Sequence, residues 1–199
     1  RQAGQAPAVN VEVSFTADEE TGGALGAGWI VDRGLVDADL AVECEGAAGS
    51  RVGIGHNGVL WLEVEVEGKS AHASSPERGV NAFEKMAAIV HDLRTVKRRL
   101  GSASRRWKGP DGRPRQPTIN VGGVFSGSDG QKVNTVPGRA AFSIDRRLVP
   151  GERLADAEKE LVDALAAAAG AEVRHRVRSL LRIAPCVVPV EGELPQAFA

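Results

Sequence analysis

The chain has 199 residues, which is enough for one sizeable hydrophobic core or two smaller ones. Its hydrophobic content of 42%, its charged content of 26% and its net charge of -1 are ordinary for a globular protein, and they give no reason to expect nucleic acid or an anionic membrane as a partner. The sequence shows neither a membrane span nor a signal-peptide pattern, so a cytoplasmic protein is expected. Cys44 and Cys186 lack zinc-ribbon or redox spacing, which favours two reduced thiols.

The first element is a predicted strand that ends in carboxylates. Val11, Val13 and Phe15 alternate with polar residues, and the run stops at an acidic stretch that includes Glu19 and Glu20. Carboxylates at a strand end lie where open α/β folds bind their ligands. Two adjacent glutamates can divide the work of metal-assisted hydrolysis, since one holds the metal and the other takes the proton from its water. A solvated acidic turn is the alternative.

The next elements repeat this arrangement. Residues 24–31 predict a helix of small residues, and residues 40–42 form a second short apolar run that ends in further carboxylates. Two such strand ends in one segment make a shared metal site more plausible. Glu45 is preferred over Glu43 as a ligand because it lies nearer the end of the strand.

A stretch rich in Gly and Ala then predicts a linker and a change of domain. The predicted domains are residues 1–55, residues 56–180 and a return to the first domain over residues 181–199. In the second domain the apolar periodicity predicts strands near 60–66, 118–125, 140–148 and 172–183, with helices at 79–100 and from 154. The order β-α-β-β-α-β is that of the ferredoxin-like split motif.

Three stretches, taken together, resemble a known enzyme family. They are residues 17–23 (ADEETGG), residues 68–76 (GKSAHASSP) with 79–82 (GVNA), and residues 133–138 (VNTVPG) followed by 142–147 (FSIDRR) and 150–152 (PGE). In this order and spacing the chain resembles the dinuclear-zinc amidohydrolases, which include succinyl-diaminopimelate desuccinylase, acetylornithine deacetylase, aminoacylase and carboxypeptidase G.

The resemblance implies roles for the acidic residues. Glu19 would be the general base that deprotonates the attacking water and later protonates the leaving amine. Glu20 and Glu45 would each ligate one of two zinc ions, with Co²⁺ or Mn²⁺ as alternative metals.

The resemblance also implies roles in the second domain. His72 would stabilise the developing oxyanion, reaching across from the neighbouring subunit of a homodimer. Asn134 and Arg147 match the pair that binds the substrate's carboxylate. The residues alone leave other possibilities open: Asn134 could shape a turn, Arg147 could pair with a nearby acidic residue, and Arg146 could read the substrate instead.

The chain departs from the family pattern in its metal ligands. The family's His-x-Asp motif and bridging Asp would lie before Arg1, its last metal-binding His would lie beyond Ala199, and ECEG at 43–46 replaces the more usual Gly-Glu-Pro. Because a catalytic zinc usually needs three protein ligands, this chain is not expected to assemble the dinuclear site unaided. It resembles the central part of the enzyme.

The predicted fold class is therefore α/β plus α+β, with part of a zinc-peptidase-like α/β catalytic domain interrupted by a ferredoxin-like lid and dimerisation domain. The predicted function is metal-dependent hydrolysis of the amide bond of an N-acyl amino acid or a small peptide. The alternative is a non-catalytic binding or dimerisation module that has lost its metal site. The presence of both Glu19 and Glu20 argues against such a loss.

Overall fold

The computed structural model of the chain describes residues 8–44, 52–128, 130 and 132–198. The chain divides into two compact units, Arg1–Cys44 and Glu45–Ala199. The described residues contain no helix long and apolar enough to cross a membrane.

The first unit contains a 3-10 turn and a short helix. The turn spans Glu19–Thr21, and helix α1 spans Ala27–Asp32, which overlaps the predicted helix. The two predicted strands at 11–15 and 40–42 are wrong, because residues 8–44 contain no strand and Phe15 is 95% exposed. A strand needs a neighbouring strand for its backbone groups and a cover for its apolar face, and the described part of this unit provides neither.

The second unit holds the remaining regular elements. Its strands are β1 (Gly55–His56), β2 (Gly58–Glu67), β3 (Ala71–His72), β4 (Trp107–Lys108), β5 (Pro114–Arg115), β6 (Thr118–Gly127), β7 (Thr135–Val136), β8 (Arg139–Leu148), β9 (His175–Ile183) and β10 (Cys186–Val187). Its helices are α2 (Ala82–Asp92), α3 (Arg94–Leu100), α4 (Leu154–Ala169) and α5 (Glu193–Ala197), with 3-10 turns at Pro76–Arg78 and Ala103–Arg105.

Four long strands form an antiparallel sheet in the order β6-β8-β2-β9. Three two-stranded ladders accompany this sheet: β1 with β10, β3 with β7, and β4 with β5. Each of the two central strands has one face against the core, because successive side chains of a strand point to opposite faces. Even-numbered residues of β2 and β8 are buried in both strands, whereas most odd-numbered residues are only partly buried.

The core lies between this sheet and helices α2, α3 and α4. The predicted helix at 79–100 is two helices that meet at Leu93. The buried residues of α2 are Ala82, Met86 and Ile89, while Phe83 is exposed.

The other face of the sheet carries charged side chains, as the alternation in β2 predicts. Ion pairs join neighbouring strands there: Arg178 contacts Glu63 at 3.0 Å, and Arg176 contacts Glu67 at 3.9 Å. Arg139 donates from Nε to Glu65 at 2.7 Å. We call this surface the open face of the sheet, since none of α2, α3 and α4 packs on the side chains that point into it.

Candidate functional site

The acidic motif of the first unit forms a tight turn built around Asp18. Asp18 has a φ of 73°, in the left-handed region that few residues other than Gly adopt. Its carboxylate accepts hydrogen bonds from the Thr21 hydroxyl and, at 2.8 Å, from the Leu25 amide. The hydroxyl first and then the amide hold the pKa of the Asp18 carboxyl below its usual range. Asp18 belongs to the acidic motif, but the sequence pattern alone does not predict its role in forming the turn.

The turn presents both predicted glutamates on its surface. Glu19 and Glu20 are the first two residues of the 3-10 turn, and both are exposed. Glu45, the other predicted ligand, lies outside the described residues. Within the part of the chain that the structure describes, no three His, Cys, Asp or Glu side chains come together as a metal site. The described residues therefore do not by themselves fit a catalytic zinc, which requires three protein ligands.

The second and third motifs of the sequence meet in one loop cluster. The ladder of β3 and β7 places His72 opposite Thr135, and the Ala73 amide donates to the Asn134 carbonyl at 2.8 Å. Gly68 and Gly138 are joined by a backbone hydrogen bond of 2.8 Å. A Cβ at Gly138 would overlap Ser70, which explains why the close approach of the two motifs requires glycine.

Asn81 accounts for the GVNA part of the second motif. Its side-chain oxygen accepts hydrogen bonds from the Phe83 amide at 3.0 Å and from the Glu84 amide at 3.3 Å, and its amide group donates to Glu84 at 3.0 Å. This arrangement is an N-cap with a reciprocal contact from the third helical residue. The motif thus begins α2, and Val80 beside the cap exchanges two backbone hydrogen bonds of 2.8 Å with Lys69 of the loop that carries His72.

The surroundings of His72 determine which ring nitrogen carries its proton. The Ser74 amide donates to Nδ1 at 3.2 Å, and the Ser74 hydroxyl lies 2.8 Å from the same atom. Because Nδ1 accepts a hydrogen bond, the neutral imidazole carries its proton on Nε2. The Asn134 nitrogen Nδ2, itself a donor, lies 3.4 Å from Nε2, so the two N–H groups lie side by side and are not hydrogen-bonded to each other. His72 is exposed, so its Nε2–H is available to a ligand.

Arg146 and Arg147 occupy opposite faces of β8. The Arg146 side chain is 0% exposed and contacts Glu152 at 2.6 Å, while Glu152 also accepts the Val149 amide at 3.0 Å. Glu152 of the PGE motif is therefore the partner of Arg146. Because Arg146 is buried in this contact, it is not available to bind the substrate.

Arg147 lies on the open face of the sheet, where its side chain is 43% exposed. Its Nη2 donates to Asp145 Oδ2 at 2.9 Å, and its Nε lies 2.8 Å from Asp145 Oδ1. This is the pairing with a nearby acidic residue that the sequence left open. It occupies one side of the guanidinium and leaves the other N–H groups to a ligand.

Asn134 and Arg147 lie at opposite ends of the second unit's sheet. Asn134 lies beyond the end where Glu67 pairs with Arg139, whereas Arg147 pairs with Val59 at the other end. The eight residue steps from Arg139 to Arg147 span about 26 Å along the strand. One chain therefore does not bring these two side chains to the same small carboxylate.

The comparisons with known proteins agree with this arrangement of motifs. Residues 54–173 match the peptidase dimerisation domain of the M20 family. The chain is 30% identical over 177 residues to an acetylornithine deacetylase of Aliivibrio fischeri, covering 89% of this chain and 43% of that protein. It is 31% identical over 180 residues to an acetylornithine deacetylase of Pectobacterium atrosepticum, covering 90% and 44%. The chain belongs to the M20 peptidase family.

A solved structure supports the fold assignment. A tripeptidase of Staphylococcus aureus superposes with a TM-score of 0.63 at 23% identity, covering 92% of this chain and 44% of that one. At this identity the similarity concerns the fold. The chain spans less than half of the length of these relatives.

Proposed function

We propose that the protein to which this chain belongs hydrolyses the amide bond of an N-acyl amino acid or a small peptide. The observation that carries the proposal is the meeting of His72 with Asn134, where two separate sequence motifs bring an exposed Nε2–H donor and an exposed amide N–H donor side by side. Such a donor is suited to stabilising the oxyanion that forms when water attacks an amide carbonyl. The similarity to acetylornithine deacetylases supports this class of reaction.

In this proposal Glu19 transfers the proton. It takes a proton from the attacking water and delivers it to the leaving amine, which is the work of a general base that becomes a general acid. Glu20 and Glu45 are proposed as metal ligands, for zinc or for Co²⁺ or Mn²⁺, together with ligands that the described residues do not supply.

Arg147 is the residue that we propose to bind the substrate's carboxylate. It is exposed, it keeps free N–H groups beside its contact with Asp145, and it can bind a carboxylate through two parallel hydrogen bonds. Because Asn134 lies at the far end of the sheet, a carboxylate that meets both residues must lie between two subunits.

We propose further that the second unit is a ferredoxin-like lid that forms a homodimer. The order β6-β8-β2-β9 and the element order β-α-β-β-α-β support the fold. In the described residues the outer edge of β6 pairs with no other strand, and Phe125 on this strand is 74% exposed. The opposite edge strand, β9, carries Arg176, Arg178 and Arg182, which discourage pairing with a second copy of the same strand.

The test uses the full-length protein and its Glu19→Ala variant. We expect release of free amine from N-acetyl amino acids or dipeptides, and a loss of about a hundred- to ten-thousand-fold in the variant, because base catalysis contributes that much. The metal content, measured by atomic emission, should stay near that of the unsubstituted protein. Loss of metal together with activity would make Glu19 a ligand. A full-length protein that binds metal poorly and releases no amine would support the non-catalytic module instead.

A further inference from the structure

The segment from α3 to the end of β5 concentrates the positive charge of the chain. Residues 94–115 hold nine of its 25 Lys and Arg residues but only one of its 26 Asp and Glu residues, Asp111. The net charge of -1 therefore conceals a local excess of positive charge. Such an excess attracts anionic partners to the surface that carries it.

Five of these cations have no carboxylate at ion-pair distance within the described part of the chain. Arg99 and Arg105, by contrast, each pair with Glu160. The five unpaired cations are all exposed, and we call them the basic surface: Arg94, Lys97, Arg98, Arg106 and Lys108. Because no neighbouring carboxylate neutralises them, their charge is available to a partner.

One glutamate of α4 brings the two parts of the basic surface together. Arg99, in the last turn of α3, lies 2.9 Å from Glu160 Oε1, and Arg105 donates to the same oxygen at 3.1 Å. Arg106 follows Arg105 directly, so the cations of α3 and those of the following segment lie close to each other. They form one patch that an extended anion can follow.

The apolar side chains of α3 argue against an anionic membrane as the partner. A helix that binds in a membrane interface inserts an apolar face among the lipids. Val96 and Leu100 of α3 are 4% and 1% exposed, because they pack in the core. The helix therefore presents cations to a partner and has no apolar face to insert.

The residue types of the segment favour phosphate groups and unpaired bases. Seven of its nine cations are Arg, whose planar guanidinium binds a phosphate with two hydrogen bonds. Trp107 lies between Arg106 and Lys108 in sequence and is partly exposed, and the Arg115 guanidinium lies 5.6 Å from the centre of its ring. Aromatic rings and guanidinium planes are the groups on which unpaired bases stack.

We propose that the basic surface, together with Trp107, binds single-stranded nucleic acid without sequence specificity. The five cations contact phosphates, and Trp107 stacks on a base. The proposal does not rest on the proposed hydrolysis, because it uses none of the residues assigned to that reaction. Each of the two can therefore fail without the other.

The test is a titration of a labelled oligothymidine of about 20 nucleotides with the full-length protein, followed by fluorescence anisotropy. If five phosphates are neutralised, a plot of log affinity against log salt concentration should have a slope of about -3.5, so Kd should rise about a hundredfold between about 50 and 200 mM salt. The triple variant Arg94→Gln/Lys97→Gln/Arg98→Gln should weaken binding at least about tenfold at the lower salt concentration and reduce the slope to about -1.4.

The matched control removes three positive charges from the open face of the sheet. It is Arg174→Gln/Arg176→Gln/Arg178→Gln, which alters exposed residues outside the basic surface and should bind the oligonucleotide like the unsubstituted protein. Circular dichroism verifies that both triple variants are folded. Trp107→Leu should weaken binding at least about fivefold with the salt slope unchanged, because a base loses its stacking partner. The affinity for inorganic polyphosphate, which has no bases, should not change in this variant.

Absence of saturable binding at low salt, or an equal loss in the open-face control, would overturn the proposal. Tighter binding to polyglutamate or to phosphatidylserine vesicles than to the oligonucleotide would also overturn it, since the surface would then serve an acidic protein or a membrane. Equal losses for oligonucleotide and polyphosphate in Trp107→Leu would overturn the stacking of a base on Trp107.

Discussion

Arg146 and Arg147 are adjacent in sequence and have opposite environments. Arg146 is fully buried against Glu152, and Arg147 is partly exposed beside Asp145. Successive side chains of a strand lie on opposite faces of the sheet. The two arginines therefore differ in burial because Arg146 faces the core and Arg147 faces the open side. At this scale the structure separates a residue that supports the fold from one that is available to a ligand.

We expect Arg147→Lys to raise KM for substrates with a free carboxylate by about tenfold or more, because Lys cannot form two parallel hydrogen bonds with a carboxylate. Steady-state kinetics on matched acid and carboxamide substrates measure the effect. Arg176→Lys, which alters an exposed arginine of the same face, is the control and should change neither substrate. Equal losses on acid and carboxamide would show that Arg147 is structural.

A pH effect is expected in the hairpin of β4 and β5. The side chain of Arg115 and then the Arg113 amide lower the pKa of Asp111 from 3.8 to about 2. Because the pKa of Asp111 is lower in the folded chain than in the unfolded chain, the ionised carboxylate stabilises the folded hairpin. This stabilisation is fully present above about pH 4 and is lost as the pH falls toward 2. Arg115 also lies over the ring of Trp107, so the emission of Trp107 should change over this interval when the other two Trp residues are replaced by Phe. In Asp111→Asn the change should disappear; its persistence would assign the transition to another group.

Helix α2 begins with a side-chain N-cap, Asn81, in addition to the apolar residues that pack on the sheet. Asn81 satisfies two backbone N–H groups at the start of the helix and exchanges a contact with Glu84. The helix in turn packs on β2 and β8. Asn81 belongs to the GVNA part of the motif that resembles the enzyme family, and its observed contacts are those of a helix N-cap.

We expect Asn81→Ala to lower the free energy of unfolding by about 1 kcal/mol, because two helix N–H groups lose their acceptor. Denaturant titration followed by circular dichroism measures the change. Glu84→Ala should cost less, since the Asn81 oxygen still caps the helix, and Asn57→Ala is a control outside the helix. A neutral Asn81→Ala would mean that the loop finds another cap.

At the scale of the whole molecule, the two edges of the sheet differ. The β6 edge exposes Val124 and Phe125, while the β9 edge carries arginines. Native sheets protect exposed edges with charge, and an uncharged apolar edge is suited to pairing. Residues 54–173 match a peptidase dimerisation domain, and the β6 edge is the proposed site of contact with a second copy.

We expect the full-length protein to be a dimer at micromolar concentration and Phe125→Asp to make it a monomer, because a carboxylate would be buried without a partner at the interface. Multi-angle light scattering measures the mass. Leu180→Asp on the β9 edge is the matched control and should remain a dimer. A monomeric unsubstituted protein would exclude dimerisation, and a dimer lost only in Leu180→Asp would move the interface to β9.

The long elements of the second unit could be predicted from the sequence. β2, β8 and α4 each carry a regular apolar period over ten or more residues, and local periodicity is enough to define such elements. The motifs likewise identified His72, Asn134 and Arg147 as candidates, although their roles remain predictions.

The remaining features depended on contacts between distant parts of the chain. The apolar alternation at 11–15 was not sufficient for a strand, because a strand also requires a partner. The buried stripe of α2 and the meeting of His72 with Asn134 arise from contacts across the sheet and its ladders. The sequence alone determined which segments alternate apolar with polar residues and which residue types stand in the motifs. Tertiary pairing decided which side chains face one another, because pairing register is a non-local property of two strands.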